Sequence, residues 1–154
     1  MHIQILTVGT PRAQFVRDGV AEFMKRLSGL ATVTLTHITE PKGGTAAGSS
    51  GEKELVAKIL ATAKRTTLIL LDEKGKEFTS PTFAQYLEKK SASGEHLTFL
   101  IGPADGHPPA VKSLMHESLT LSKLTLPHEM ALLFFVETLY RSLSITKGHP
   151  YHRT

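Results

Sequence analysis

The 154-residue chain contains no cysteine and no tryptophan. The missing thiols exclude disulfide staples, cysteine nucleophiles and thiolate-bound zinc, so nothing in the chain calls for an oxidising compartment. Long apolar runs are also missing. The longest, Met130 to Val136, has seven residues, against the ~20 needed to span a bilayer. The opening segment MHIQILTVGT lacks the basic start, long apolar stretch and small-residue cleavage site of an export signal, so the expected location is cytoplasmic. Two phosphate-binding signatures are absent as well. The glycine-rich stretch from Pro41 to Gly51 does not end in Gly-Lys-Ser/Thr, and no Gly-x-Gly-x-x-Gly follows a strand, which removes the main support for a nucleotide-phosphate or dinucleotide site. After Glu137 there is no acidic residue, while Arg141, Lys147 and Arg153 remain, with His149 and His152 among them.

What is present is the composition of an ordinary globular protein, 40% hydrophobic and 21% charged with a net charge of +4, long enough for one domain over residues 1–154 with a core of its own. Met1 to Val8 is β-rich, and Gly9 with Thr10-Pro11 supplies a turn, a cap and a proline suited to a first helical position. From Arg12 to Leu27, Phe15, Val16, Gly19, Val20, Phe23 and Leu27 recur at helical steps. Thr32 to Ile38 is a second strand, Glu52 to Lys64 a helix, and Thr67 to Leu71 a buried strand closed by Asp72. A helix capped at Ser80-Pro81 runs through Lys90, followed by a buried strand from His96 to Ile101. A short helix from Pro109 to His116, a strand near Ser118 to Leu121 and a long helix from Pro127 to Leu143 complete the order. Strand and helix alternate throughout, which predicts an α/β fold with a mostly parallel sheet and helices on both faces.

In such a fold ligands collect beyond the carboxyl ends of the strands. Three segments fall there: the one after Leu71, the one from Gly102 to His107, and the one from Ser122 to His128. The helix from Met130 onward is apolar nearly all round, so it is either wholly buried or shared with a second subunit, and a homodimer is the expectation. The ending has two readings. In one, Tyr151 stacks on a base while Arg153 and Lys147 meet phosphates. In the other, the tail docks on its own protein. His149 and His152 lack further ligands in the sequence nearby, and no metal is expected.

Taken together, Val8-Gly9-Thr10, Ile101-Gly102 with Asp105-Gly106, the segment Leu121-Ser122-Lys123-Leu124-Thr125-Leu126-Pro127-His128, then Glu137, Leu139-Tyr140-Arg141 and the closing Pro150-Tyr151-His152 resemble the ribosomal RNA large subunit methyltransferase H family of SPOUT methyltransferases. The resemblance runs essentially end to end. It implies a homodimer with a trefoil-knotted C-terminal half, using S-adenosylmethionine to methylate N3 of a pseudouridine in 23S rRNA of the assembled ribosome. It places the cofactor on Leu71, Gly102 and Leu121, Ser122, Lys123, Leu124, Thr125 and Leu126. RNA contacts are expected from Arg141, Lys147, His149, Tyr151 and Arg153, with His152 as a base and Arg153 as an electrostatic stabiliser; His128 reads as a helix-start residue.

Three positions depart from the family pattern. Pro103 stands where a second glycine is usual, Asp105 where glutamate is, and Leu132 where an arginine commonly follows the motif histidine by four residues. The competing readings are a non-catalytic RNA-binding α/β module and a flavodoxin-type nucleotide-binding protein.

Overall fold

Apolar runs buried on both faces form the centre of the molecule. A computed structural model describes all 154 residues. It contains β1 (His2–Val8), α1 (Gln14–Leu27), β2 (Thr32–Ile38), α2 (Ser50–Thr62), β3 (Thr67–Lys76), α3 (Ser80–Ala92), β4 (Leu97–Ile101), α4 (Pro109–Lys112), β5 (Glu117–Leu119) and α5 (His128–Thr146). The five strands form one sheet in the order β2-β1-β4-β3-β5, and every pairing is parallel. The register sets Ile3 beside Leu97, Ile5 beside Phe99, and Ile69 on the other side of Phe99.

The two-residue period of a strand divides these side chains between two layers. Ile3, Ile5, Ile69, Leu71, Leu97, Phe99 and Ile101 face the helices α1, α3 and α5, and pack with Phe83, Leu132, Phe135 and Leu139. Leu6, Val8, Leu68, Leu70 and Leu100 face the opposite way, towards Leu55, Ile59 and Val111 of α2 and α4. A side chain of this size contributes about 1.5–3 kcal/mol on full burial, so both faces must be covered. Gly19 allows α1 and α5 to approach closely: a Cβ there would stand 2.7 Å from Leu133 Cδ1.

Three local expectations are corrected. Helix α1 begins at Gln14 with Ala13 in the cap position, two residues later than expected, and Pro11 lies ahead of it. The backbone N–H groups of Arg12 and Ala13 donate instead to the carboxylate of Glu129 on α5. Strand β3 does not stop at Asp72 but bulges and runs on to Lys76, beside Leu119. Gly75 makes this possible, because any side chain there would collide with the Leu119 backbone. Helix α3 is capped by Thr79, not Ser80, in a reciprocal arrangement with Thr82.

Candidate active site

The carboxyl ends of β3 and β5 lie side by side. Beyond Leu71, the Asp72 carboxylate accepts the backbone N–H of Lys74 at 2.9 Å and pairs with Lys112 at 3.4 Å. The backbone hydrogen bond, followed by the nearby Lys112 charge, holds its pKa below the usual carboxylate value despite partial burial. After β5, the Thr120 hydroxyl donates to Ser122 O and Leu124 N donates to Ser122 Oγ, both at 2.9 Å. These bonds bend residues 120–126 into an arc facing Leu71. Leu71, Leu121, Leu124, Leu126 and Ala131 wall a cavity of about 100 Å³, and Asp72 and Glu73 supply its carboxylates.

Gly102, at the end of β4, lines a separate and much smaller cleft with Gly9, His128 and Leu132. The imidazole of His107 lies where a Gly102 side chain would stand, and its Nε2 is 2.9 Å from the Leu71 carbonyl. A carbonyl only accepts, so Nε2 carries the hydrogen. Desolvation is the largest influence on this ring and lowers its pKa from the ordinary histidine value; the Leu71 carbonyl and Asp72 act in the opposite direction. His107, the last residue of the Gly102 segment, therefore ties that segment to the one after Leu71. Neither His107 nor the carboxylates Asp72 and Glu73 were among the expected site residues. Asp72 carried a signal, because it ends an apolar run at a strand terminus.

Of the expected cofactor residues, Leu71, Leu121, Ser122, Leu124 and Leu126 share the cavity. Lys123 instead reaches Glu77 at 3.4 Å across exposed surface, and Thr125 is exposed. Leu132 is buried in the core. His128 is the first residue of α5.

The tail folds back on α5. The Tyr151 hydroxyl donates to Glu137 at 3.0 Å, its ring meets Tyr140 edge-on at 4.7 Å, and the Arg141 guanidinium lies 4.8 Å from its centroid. Burial, and then the bond to Glu137, raises the Tyr151 pKa. Arg141 is paired with Glu137 and donates to Nδ1 of His152 at 3.3 Å. Guanidinium has no acceptor, so Nδ1 is the accepting nitrogen and the neutral ring carries its hydrogen on Nε2. His152 thus presents a donor in this arrangement. Lys147, His149 and Arg153 are exposed.

Helix α5 buries Leu132, Phe135, Val136, Leu139 and Leu143 but leaves Met130 and Phe134 exposed. These two, with Phe23 and Phe78, line a groove of about 670 Å³ whose lining also includes Arg141, Thr120 and Leu121. Thr120 and Leu121 also line the cavity beside Leu71, so groove and cavity share a wall. No helix is long and apolar enough to cross a membrane.

Comparison with known proteins identifies the family. Residues 1–152 match the family described as "Predicted SPOUT methyltransferase". The chain is 37% identical over 154 residues to ribosomal RNA large subunit methyltransferase H of Deinococcus radiodurans, covering 99% of each. It is 38% identical over 157 residues to the protein of that name in Neisseria meningitidis serogroup A, again covering 99% of each. The same value holds over 162 residues for the Syntrophomonas wolfei protein of that name, with 99% of this chain and 100% of the relative covered. In fold it is similar to the crystal structure of tRNA (m1G37) methyltransferase from Aquifex aeolicus, with a TM-score of 0.60 and 14% identity, over 100% of this chain and 76% of that one. The chain belongs to the SPOUT methyltransferases and, among them, to the ribosomal RNA large subunit methyltransferase H family.

Proposed function

We propose that this enzyme transfers a methyl group from S-adenosylmethionine to N3 of a pseudouridine in 23S rRNA, acting in the cytoplasm on the assembled ribosome. The observation that carries the cofactor assignment is the make-up of the Leu71 cavity: leucine walls suited to a purine, flanked by the Asp72 and Glu73 carboxylates. That donor set fits a ligand with a flat base, no phosphate and a positive sulfur centre. Leu71, Leu121, Leu124 and Leu126 would hold the apolar part, and the two carboxylates would favour the cation. The cofactor supplies an activated methyl group.

The remaining chemistry falls to the protein. The imide N3–H of the target base must lose its proton before that nitrogen is nucleophilic. Donors aimed at the resulting anion ease this loss. The Arg153 guanidinium fills that role as an electrostatic stabiliser, and His152 adds a second donor through Nε2. The N3 proton passes to His152 Nδ1, which must first part from Arg141. Arg141, Lys147, His149 and Tyr151 belong to the same basic ending and are assigned to RNA, with Tyr151 and Arg141 also fixing the tail. Gly102 is assigned to the cofactor end of β4 through His107, which its missing side chain admits to the Leu71 carbonyl, while Ser122, Lys123 and Thr125 form the arc around the cofactor.

The active form in this reading is a homodimer. A cavity of about 100 Å³ is small beside the ~300–1,000 Å³ typical of ligand pockets, and its shared wall opens into the apolar groove on α5. A second copy seated in that groove would cover Met130 and Phe134 and enclose the cofactor, bringing a partner's tail near the site. We further assign the whole of 1–154 to one SPOUT domain with a trefoil knot. Membership of the SPOUT methyltransferases over residues 1–152 supports this.

Isothermal titration separates the readings. Binding of S-adenosylhomocysteine, with none of FMN or NAD, is the expected result. Failure to bind any adenosyl ligand would favour the non-catalytic RNA-binding module.

A further inference from the structure

Beyond the carboxyl ends of β1 and β2, with no lining residue in common with the Leu71 cavity, lies a polar cleft of about 740 Å³. It is formed by the turn after β1, where Gly9 has φ +87° and donates its N–H to Ile38 O at 2.8 Å. Arg12, Arg17, His37, Glu40, His128 and Glu129 line it. Ala104 also lines it, so the cleft borders the loop that follows Gly102.

The Arg12 charge acts on the nearby Glu129, but neither arginine of this cleft is closely paired with a carboxylate. Arg12 and Arg17 form no ion pair. Arg17 donates only to neutral acceptors, the carbonyls of Pro11 and Arg12 and the side chain of Gln14. Glu129 is occupied by the backbone N–H groups of Arg12 and Ala13, which leaves Glu40 as the one lining carboxylate without such a bond. His37 adds an oriented group. The Thr7 hydroxyl gives its hydrogen to Gly9 O at 3.1 Å, so Nδ1 of His37, 2.6 Å from that hydroxyl, must be the donor. Neutral His37 therefore keeps Nε2 as an acceptor.

We propose that this cleft is an RNA-backbone site, separate from the basic tail, in which Arg12 and Arg17 hold phosphates and His37 Nε2 accepts a ribose 2′-hydroxyl. Two guanidinium groups outside any close ion pair match phosphate oxygens, and an acceptor for the 2′-hydroxyl favours RNA over DNA. The inference rests on the rRNA reading above and gives it a second anchor: a strand held here lies along the Gly102 loop rather than depending on the tail alone.

The test is equilibrium binding of Arg12→Glu, Glu40→Gln and wild type to ribosomes lacking the modification, over a range of salt concentrations. Arg12→Glu is expected to weaken binding about tenfold and to reduce the slope of log K against log salt by about one, while Glu40→Gln tightens binding. S-adenosylhomocysteine affinity should match wild type in both variants, which separates this effect from misfolding and from failure of the cofactor reading. With single-stranded oligomers as probes, His37→Ala should narrow the preference for RNA over DNA of the same sequence. Inorganic phosphate that competes no better than its ionic strength predicts supports an RNA site; saturable competition by phosphate alone would make this a small-anion site and overturn the proposal. Wild-type affinity and salt slope in both Arg12→Glu and Glu40→Gln would also overturn it, and a wild-type protein that binds S-adenosylhomocysteine but no rRNA would remove its premise.

Discussion

His107 hydrogen-bonds the carbonyl of Leu71 through Nε2 at 2.9 Å. The ring reaches that carbonyl across Gly102, where the absence of a side chain leaves room for it. A methyl group at residue 102 must displace the imidazole, which breaks the link between the β3 and β4 ends. Gly102→Ala is expected to cost about 1–3 kcal/mol of stability, in the range of overpacked sites, and to weaken S-adenosylhomocysteine binding. Urea denaturation and calorimetry on the same preparation check both; unchanged binding would detach His107 from the cofactor site.

Burial lowers the His107 pKa below its unfolded value. Below about pH 6.5, the unfolded chain takes up a proton that the native ring resists, so stability falls as pH drops through that value and is retained above it. His107→Gln keeps a donor for Leu71 but removes the titration. The urea midpoint of this variant should therefore fall less than that of wild type between about pH 7.5 and about pH 5.5. Equal falls in the two proteins would contradict the assignment.

Much of the layered architecture was legible in the sequence, because Thr67 to Leu71 and His96 to Ile101 are short apolar runs and such runs form strands buried on both faces. The ends of elements were less so. Thr10 and Pro11 are good local signals for a helix start, yet α1 begins at Gln14 because a carboxylate more than a hundred residues away takes the two N–H groups before it. The extension of β3 past Asp72 depends on β5 lying beside it, and no local pattern carries that information. The same holds for His107, whose role follows from the neighbouring ends of β3 and β4. The leucines at 121, 124 and 126 were placed by motif resemblance, and the cavity they form depends on the turn at Ser122.

Glu129 links the start of α5 to the start of α1. Its acceptance of the Arg12 N–H, then that of Ala13, lowers its pKa. The contribution of this bond is present above the unfolded carboxyl value and is lost as pH falls through the native one. Glu129→Ala should lower the melting temperature and speed amide hydrogen exchange at Arg12, Ala13 and the first turn of α1. Glu129→Gln, which retains an acceptor oxygen, should restore much of the protection. Unchanged exchange in Glu129→Ala would show that the contact is not maintained in solution.

The exposed face of α5 tests the assembly. Phe134→Glu places a charge in the apolar groove while leaving the core residues Phe135 and Val136 untouched. Sedimentation equilibrium is expected to give a dimer for wild type and a monomer for the variant, with far-UV circular dichroism unchanged. A variant that remains dimeric would move the interface elsewhere.

The most direct test of the catalytic account is incubation of ribosomes lacking the modification with the protein and isotopically labelled S-adenosylmethionine, followed by mass spectrometry of the digested rRNA. The expected result is one labelled methyl group on N3 of a single 23S pseudouridine. Label on another base, or no label in the rRNA under conditions in which the protein binds the cofactor, would contradict it.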